Sequence, residues 1–188
     1  MNTISAYSAS AEYRPEVPPA VLEPPLANTY SLRTRHALLQ VVLQVTDAVE
    51  PSMINAGSLK KWGVDLQPQR ALAILVYYYL IGVYSSQTIA TEVSKDILLR
   101  CLIANESLDW MLVHRFRHDN QSVLQECMEK VCWIMNRENP EGIEPGLVFS
   151  STIHRREISN FLLLSRIVLE VEKRLALAAQ MDSMEMDD

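Results

Sequence analysis

Apolar residues along this chain recur at helical spacing, and no stretch alternates convincingly in the manner of a strand. In "LRTRHALLQVVLQVTDAV", Leu38, Val42 and Val45 lie three or four residues apart, and Leu39 and Val49 widen the stripe. That spacing predicts a helix burying one face, with Ser31 as candidate N-cap and Glu50-Pro51 as its stop. Asn55 to Leu66 reads as a loop. "PQRALAILVYYYLIGV" then opens on Pro68 and closes near Gly82, the proline-first, glycine-last asymmetry of helices. Its apolar residues lie on every side, so it reads as a buried central helix. It is shorter than the roughly 20 residues of a membrane span. Tyr77, Tyr78 and Tyr79 in it suit either a stacking platform for bases or the core, and core packing is the better reading.

Beyond Gly82 the pattern continues in shorter pieces. "SQTIATEV" predicts a short helix, Ser94–Asp96 a turn, and "ILLRCLIAN" a second helix, together with helix-turn-helix proportions. The second of these offers Arg100 and Asn105 toward base edges, with Lys95 just ahead of it. "QSVLQECMEKVCWIMN" marks one face with Val123, Leu124, Cys127, Val131 and Ile134 before Asn139-Pro140 breaks it. The final element is "RREISNFLLLSRIVLEVEKRLALAAQ", with Ile158, Leu162, Leu169 and Leu175 as its expected apolar face and "MDSMEMDD" as a frayed tail. The expected fold is all-α: about six to seven helices in a compact domain, a disordered Pro-rich N-terminal arm and a long C-terminal helix. In segments, this is an arm at 1–28, a helical domain at 29–139, a loop at 140–152, a long amphipathic helix at 153–181 and an acidic tail at 182–188.

Composition narrows the functional classes. A chain of 188 residues with 48% hydrophobic content suits one core plus extensions. A net charge of −6 argues against a surface that coats nucleic acid broadly, although a local basic face is compatible with it. Cys101, Cys127 and Cys132 are odd in number and lack a repeated CxxC, so they read as buried thiols in a reducing compartment rather than disulfides or zinc ligands. With no charged segment leading into an apolar stretch at the start, a cytoplasmic location is expected.

The densest chemistry sits in "SLDWMLVHRFRHDN". On a helix at about 100° per residue, Leu112, Val113 and Phe116 share one side, and His114, Arg115 and His118 the other, with Arg117 on a flank near Trp110. Phe116 and Trp110 are the expected structural anchors. His114 and His118 have the i,i+4 spacing of a chelating pair, but the pattern has no central Glu and no third ligand, so no metal is expected. Cys127 and Ser107 lie nearby in sequence without forming a triad. The cationic stripe therefore reads either as a solvated face paired with Asp109 and Asp119 or as a set of phosphate contacts.

From Gln69 to about Met135 the order of features resembles a known family, the helical N-terminal domain of bacterial DDE-type insertion-sequence transposases. The resemblance is carried by "LIGVYSSQTIATEV", a hydrophobic helix ending in a Gly turn and a Ser-rich helix start, by "DILLRCLIANESL", and by Asp109 ahead of Arg115-Phe116-Arg117. It implies a domain that helps a transposase recognise its terminal inverted repeats or assemble on them. It also implies a helix with an aromatic anchor inside and arginines at the surface. The family continues into an RNase-H-like domain whose separated carboxylates bind catalytic metals. After "GLVF" no such strand–Asp segment is found, which predicts a non-catalytic protein, a truncated or domesticated transposase. The expectation is DNA binding or transposition regulation through Arg115 and Arg117, with His114, His118, Arg100 and Lys95 as neighbours. The alternative is a helical protein-interaction module without DNA binding, whose C-terminal helix pairs with another copy of the chain, as a homo-oligomer, or with another protein. Neither reading calls for a cofactor, a small-molecule substrate or a membrane.

Overall fold

A computed structural model describes residues 32–61, 65–103, 107–138 and 160–187, with the backbone alone for Asn160, Phe161, Glu138, Glu185 and Asp187. The expected arm at 1–28, the Ser31 cap, Asn105, the loop at 140–152 and Ile158 lie outside these residues. Among the described residues the chain is all-helical, with seven α-helices: α1 (Leu32–Asp47), α2 (Gly57–Lys61), α3 (Pro68–Leu80), α4 (Ser86–Val93), α5 (Trp110–Asp119), α6 (Gln121–Glu138) and α7 (Asn160–Asp187). No strand occurs among them, and none of these helices is long and apolar enough to cross a membrane.

The fold is organised around α3. Every residue from Ala71 to Leu80 is buried, and α1, α4, α6 and α7 all pack against it. Tyr77, Tyr78 and Tyr79 are therefore core side chains, and none offers a ring face to solvent. At ~1.5–3 kcal/mol for each large apolar side chain removed from water, this helix supplies a large share of the driving force for folding. Its C-terminus has a specific stop. Gly82 adopts φ 85°, which lets Val83 N–H reach Tyr78 O (2.9 Å) and Gly82 N–H reach Tyr79 O (3.3 Å). This is the Schellman pattern that a glycine admits and a Cβ opposes. Arg174 of α7 covers the same end, donating from Nη1 to Tyr79 O (3.0 Å) and Leu80 O (2.7 Å). A cation there complements the negative end of the helix dipole.

The smaller helices are fixed by local polar groups. Ser85 accepts from Thr88 N–H (3.0 Å) to cap α4, and Asp109 accepts from Met111 N–H (2.7 Å) to cap α5. At the α5–α6 corner, Asn120 is buried. It exchanges hydrogen bonds with the backbone of Asn55, accepting at 2.7 Å and donating at 3.0 Å, and also donates to Phe116 O at 2.8 Å. One amide thus ties the α1–α2 connection to the α5–α6 hinge.

Three expected elements differ. The 55–66 stretch contains the short helix α2, which buries Leu59. Over its described part, 97–103, "ILLRCLIAN" forms successive turns and not a second helix. Asp96 starts them by accepting from Leu98 N–H (2.9 Å) and is itself paired with Arg35 of α1, so the segment is pinned at one end while Ile97 stays exposed. The helix-turn-helix reading therefore lacks its second helix. Finally, α7 runs through the expected frayed tail to Asp187. It buries Ile167, Val171, Arg174, Leu175, Ala178 and Asp182 and leaves Leu162 and Leu169 exposed. Among the described residues the expected apolar face shares only Leu175 with the observed one, because α7 docks on α6, α4 and α3 through a stripe that includes two charged residues.

Candidate functional site

The His114–His118 segment divides across the two sides of α5 differently from the expected stripe. Phe116 is 2% exposed and lines, with Leu59, Ile74, Leu75 and Leu112, a small apolar cavity of about 20 Å³ between α2, α3 and α5. Phe116 is thus a core side chain, while Trp110 is only half-buried. Arg115 and His118 face solvent, and His118 lies 3.5 Å from Asp119. Arg117 does not reach the surface, and His114 is only partly exposed. A helical wheel drawn for a helix with one neighbour places His114 on the outer side and Arg117 on a flank, and the resemblance implies a surface position for Arg117. Here α4 packs on α5, and the end of α7 reaches both residues through Asp182 and Ala178. The expected surface position of Arg117, and the outward position of His114, are corrected accordingly.

What covers them is Asp182, which has no solvent exposure. Its Oδ2 accepts from Ser86 Oγ (2.8 Å) and lies 2.7 Å from His114 Nδ1, and it pairs with Arg117 Nη2. Its Oδ1 accepts from the Ser86 N–H at 3.1 Å. Ser86 is the first residue of α4, so this amide is one of those a helix start leaves unpaired, and an acidic partner there is favoured by the helix dipole. Arg117 Nη1 also donates to Ala178 O at 2.6 Å. His114 Nδ1 lies 3.4 Å from Arg117 Nη2. The shorter contact with the carboxylate puts the histidine proton on Nδ1. Burial raises the Tyr79 phenol pKa well above its ordinary value, and the Arg117 charge beside it opposes that rise.

Ser86, His114 and Asp182 are the residue types of a hydrolytic triad, but the wiring is different. In a triad the serine proton passes to histidine and only the histidine meets the carboxylate. Here serine and histidine both address Asp182, and Ser86 is fully buried. The cluster is an ionic clasp joining the start of α4, the middle of α5 and the last turns of α7. It holds an oxyanion with one guanidinium, one imidazole, one hydroxyl and one amide.

The other sequence candidates lie apart from the clasp. Arg100 is exposed on the 97–103 turns, and Lys95 is exposed and bonded to Glu92 at 2.9 Å. Cys127 and Cys132 are buried, and burial pushes their thiols up to about 11 and about 12. Cys101, expected to be buried, is exposed. Among the described residues no group of three or more His, Cys, Asp or Glu is placed to hold a metal ion. Two members of the clasp were not expected from the sequence. Ser86 reads as an ordinary helix start, and Asp182 falls in the acidic tail. The signal for Asp182 was present, since Val171, Ala178 and Asp182 continue one helical register beyond the last hydrophobic position. No protein-family model, curated protein or solved structure matches this chain.

Proposed function

We propose that this chain is a transposase-derived helical domain that binds DNA through its phosphates and does no chemistry on it, acting in recognition of terminal repeats or in regulation of transposition. The observation that carries the reading is that the residues of the resemblance hold structural posts along one continuous stretch. Gly82 terminates α3, Ser85 caps α4, Asp109 caps α5 and Phe116 seats α5 in the core. On this reading Arg115 is the exposed arginine of the signature, with His118, Arg100 and Lys95 as further contacts, and Arg117 is withdrawn into the clasp. DNA binding measured by fluorescence anisotropy across a salt series tests it. Affinity should fall steeply with salt, and Arg115→Ala should flatten the slope by about one unit for all duplex sequences. Absence of salt-dependent binding at low ionic strength overturns it.

A second reading, a helical interaction module, is favoured by a different observation. Leu169, Met184 and Met186 are exposed along α7 while the chain as a whole is acidic. Sedimentation of Leu169→Glu against the parent separates the two readings, because self-association that this substitution abolishes, in a protein without salt-dependent DNA binding, assigns α7 to protein contacts.

A further inference from the structure

We infer that the α4–α5 side of the clasp is a phosphate-binding cradle that the end of α7 occupies in cis. The donors and the acceptor come from different parts of the fold. Ser86 N–H, Ser86 Oγ, His114 Nδ1 and the Arg117 guanidinium all belong to α4 and α5, which pack directly on each other. The acceptor arrives from 68 residues beyond His114 and 96 beyond Ser86. The donor groups therefore all sit on α4 and α5, with Arg117 Nη1 also donating to Ala178 O of α7, and α7 contributes the anion.

The fit of that anion is uneven. Three of the four donors converge on Oδ2, leaving Oδ1 with the Ser86 amide alone. A tetrahedral phosphate would spread the same donors over more oxygens, and the combination of helix-start amide, hydroxyl and guanidinium is the chemistry that recognises it. The occupant is also weakly anchored. From Ala179 to the end of the described side chains, Asp182 is the only buried residue; Ser183, Met184 and Met186 are exposed. These last turns carry Asp182, Glu185 and Asp187 and no basic residue, so their charge opposes the negative end of their own helix dipole. The end of α7 is held by the Asp182 carboxylate in the cradle, by the bond from Arg117 Nη1 to Ala178 O and by the partly buried Met181. A phosphate taking the cradle would release those turns, and their return would expel it.

The phosphate can come from free inorganic phosphate or from a nucleic-acid backbone; the nucleic-acid source rests on the DNA-binding reading above, and the cradle itself does not. The test uses the full chain in two arms. In the wild-type protein, amide hydrogen exchange of 179–187 is followed in phosphate against chloride at matched ionic strength. Exchange there should quicken severalfold in phosphate while α3 is unchanged, and equal exchange in both salts overturns the cradle. In Asp182→Ala, inorganic phosphate measured by calorimetry should bind at least about tenfold more tightly than in wild type, a gain of ~1.4 kcal/mol, and Asp182→Ala/Arg117→Gln should lose it. No gain in Asp182→Ala, or a gain that survives Arg117→Gln, overturns the assignment. Should Asp182→Ala fail to fold, the wild-type exchange arm still decides. Duplex DNA run beside phosphate distinguishes the two proposals. Phosphate binding without DNA binding leaves the cradle standing and removes the DNA reading. Arg115-dependent DNA binding with no response to Asp182→Ala leaves the DNA reading standing and removes the nucleic-acid backbone as the source of the cradle's phosphate.

Discussion

Arg117→Ala distinguishes a surface arginine from a clasp arginine by magnitude. Trimming an exposed arginine away from special features costs within ~0.5 kcal/mol, and Arg115→Ala is expected in that range. Arg117 is different, because its side chain is 8% exposed and its carboxylate partner 1% exposed. Removing one member of a buried pair costs ~3–5 kcal/mol, mainly because the other charge stays buried without its counter-ion. Two features of this site lower the figure. Asp182 keeps the two Ser86 donors and His114. It also lies close to the end of α7, so fraying of the last turns can return it to water and caps the cost at the docking energy of those turns. The expected destabilisation is therefore about 3 kcal/mol, at the low end of the range.

Urea unfolding measures this directly. With a slope of ~2 kcal/mol per molar, Arg117→Ala should lower the midpoint by about 1.5 M, and Arg115→Ala by less than about 0.25 M. The double variant Arg117→Ala/Asp182→Ala should be less destabilised than the sum of the singles by at least ~1 kcal/mol, since both singles break the same pair. If Arg117→Ala unfolds within ~0.5 kcal/mol of the parent, or if the double variant is simply additive, the guanidinium does not pair with Asp182 and the clasp is wrong.

Three further outcomes are expected. Phe116→Ala should cost ~3–5 kcal/mol by urea unfolding, since a buried ring is deleted beside a cavity that already exists; an unchanged midpoint refutes its place in the core. Gly82→Ala should cost about 1–2 kcal/mol because the residue sits in the left-handed region, and an increase in stability would mean that α3 ends in some other way. The alkaline limb of stability should fall early. Burial raises Cys127, Cys132 and the phenols of Tyr77, Tyr78, Tyr79 and Tyr84 above their ordinary values. A raised folded value means that stability is full below the unfolded value near ~9 for thiols and is lost as pH climbs through the folded value. The urea midpoint should therefore decline above pH ~9, and at pH 8 a thiol reagent should modify Cys101 well before Cys127 and Cys132; a flat midpoint or equal labelling refutes the burial.

Much of the fold was legible in the sequence because most helices announce themselves locally. α3 is apolar on all sides between a proline and a glycine, and α4 coincides with "SQTIATEV" because Ser85 and Val93 bound it. Phe116 was legible because it lies at the centre of an apolar arc. The turns at 97–103 were not. Their apolar spacing is helical, but Asp96 takes the Leu98 amide and is held by Arg35, 61 residues away, a tertiary constraint that periodicity does not encode. Arg117 and His114 were misplaced for a related reason. A wheel sorts residues by polarity, and a polar residue facing a charged partner on another helix looks the same as one facing water.

If arginine pairs in a transposase-like signature are assumed to face DNA, Arg115 and Arg117 are equivalent, and a double substitution that weakens binding is credited to both. In this fold they are not equivalent. Arg115 changes the surface charge and leaves the core alone, whereas Arg117 holds α7 to α4 and α5, so its loss alters the shape presented to any partner. A double variant would mix an electrostatic effect with a packing effect. Single variants read by salt slope and by unfolding midpoint keep them apart: a phosphate contact moves the slope with little change in the midpoint, and a clasp residue moves the midpoint first. Arg115 should follow the first pattern and Arg117 the second. If Arg117→Ala moved the slope alone, its guanidinium would be facing solvent and phosphate, and Asp182 would have to find its counter-charge elsewhere.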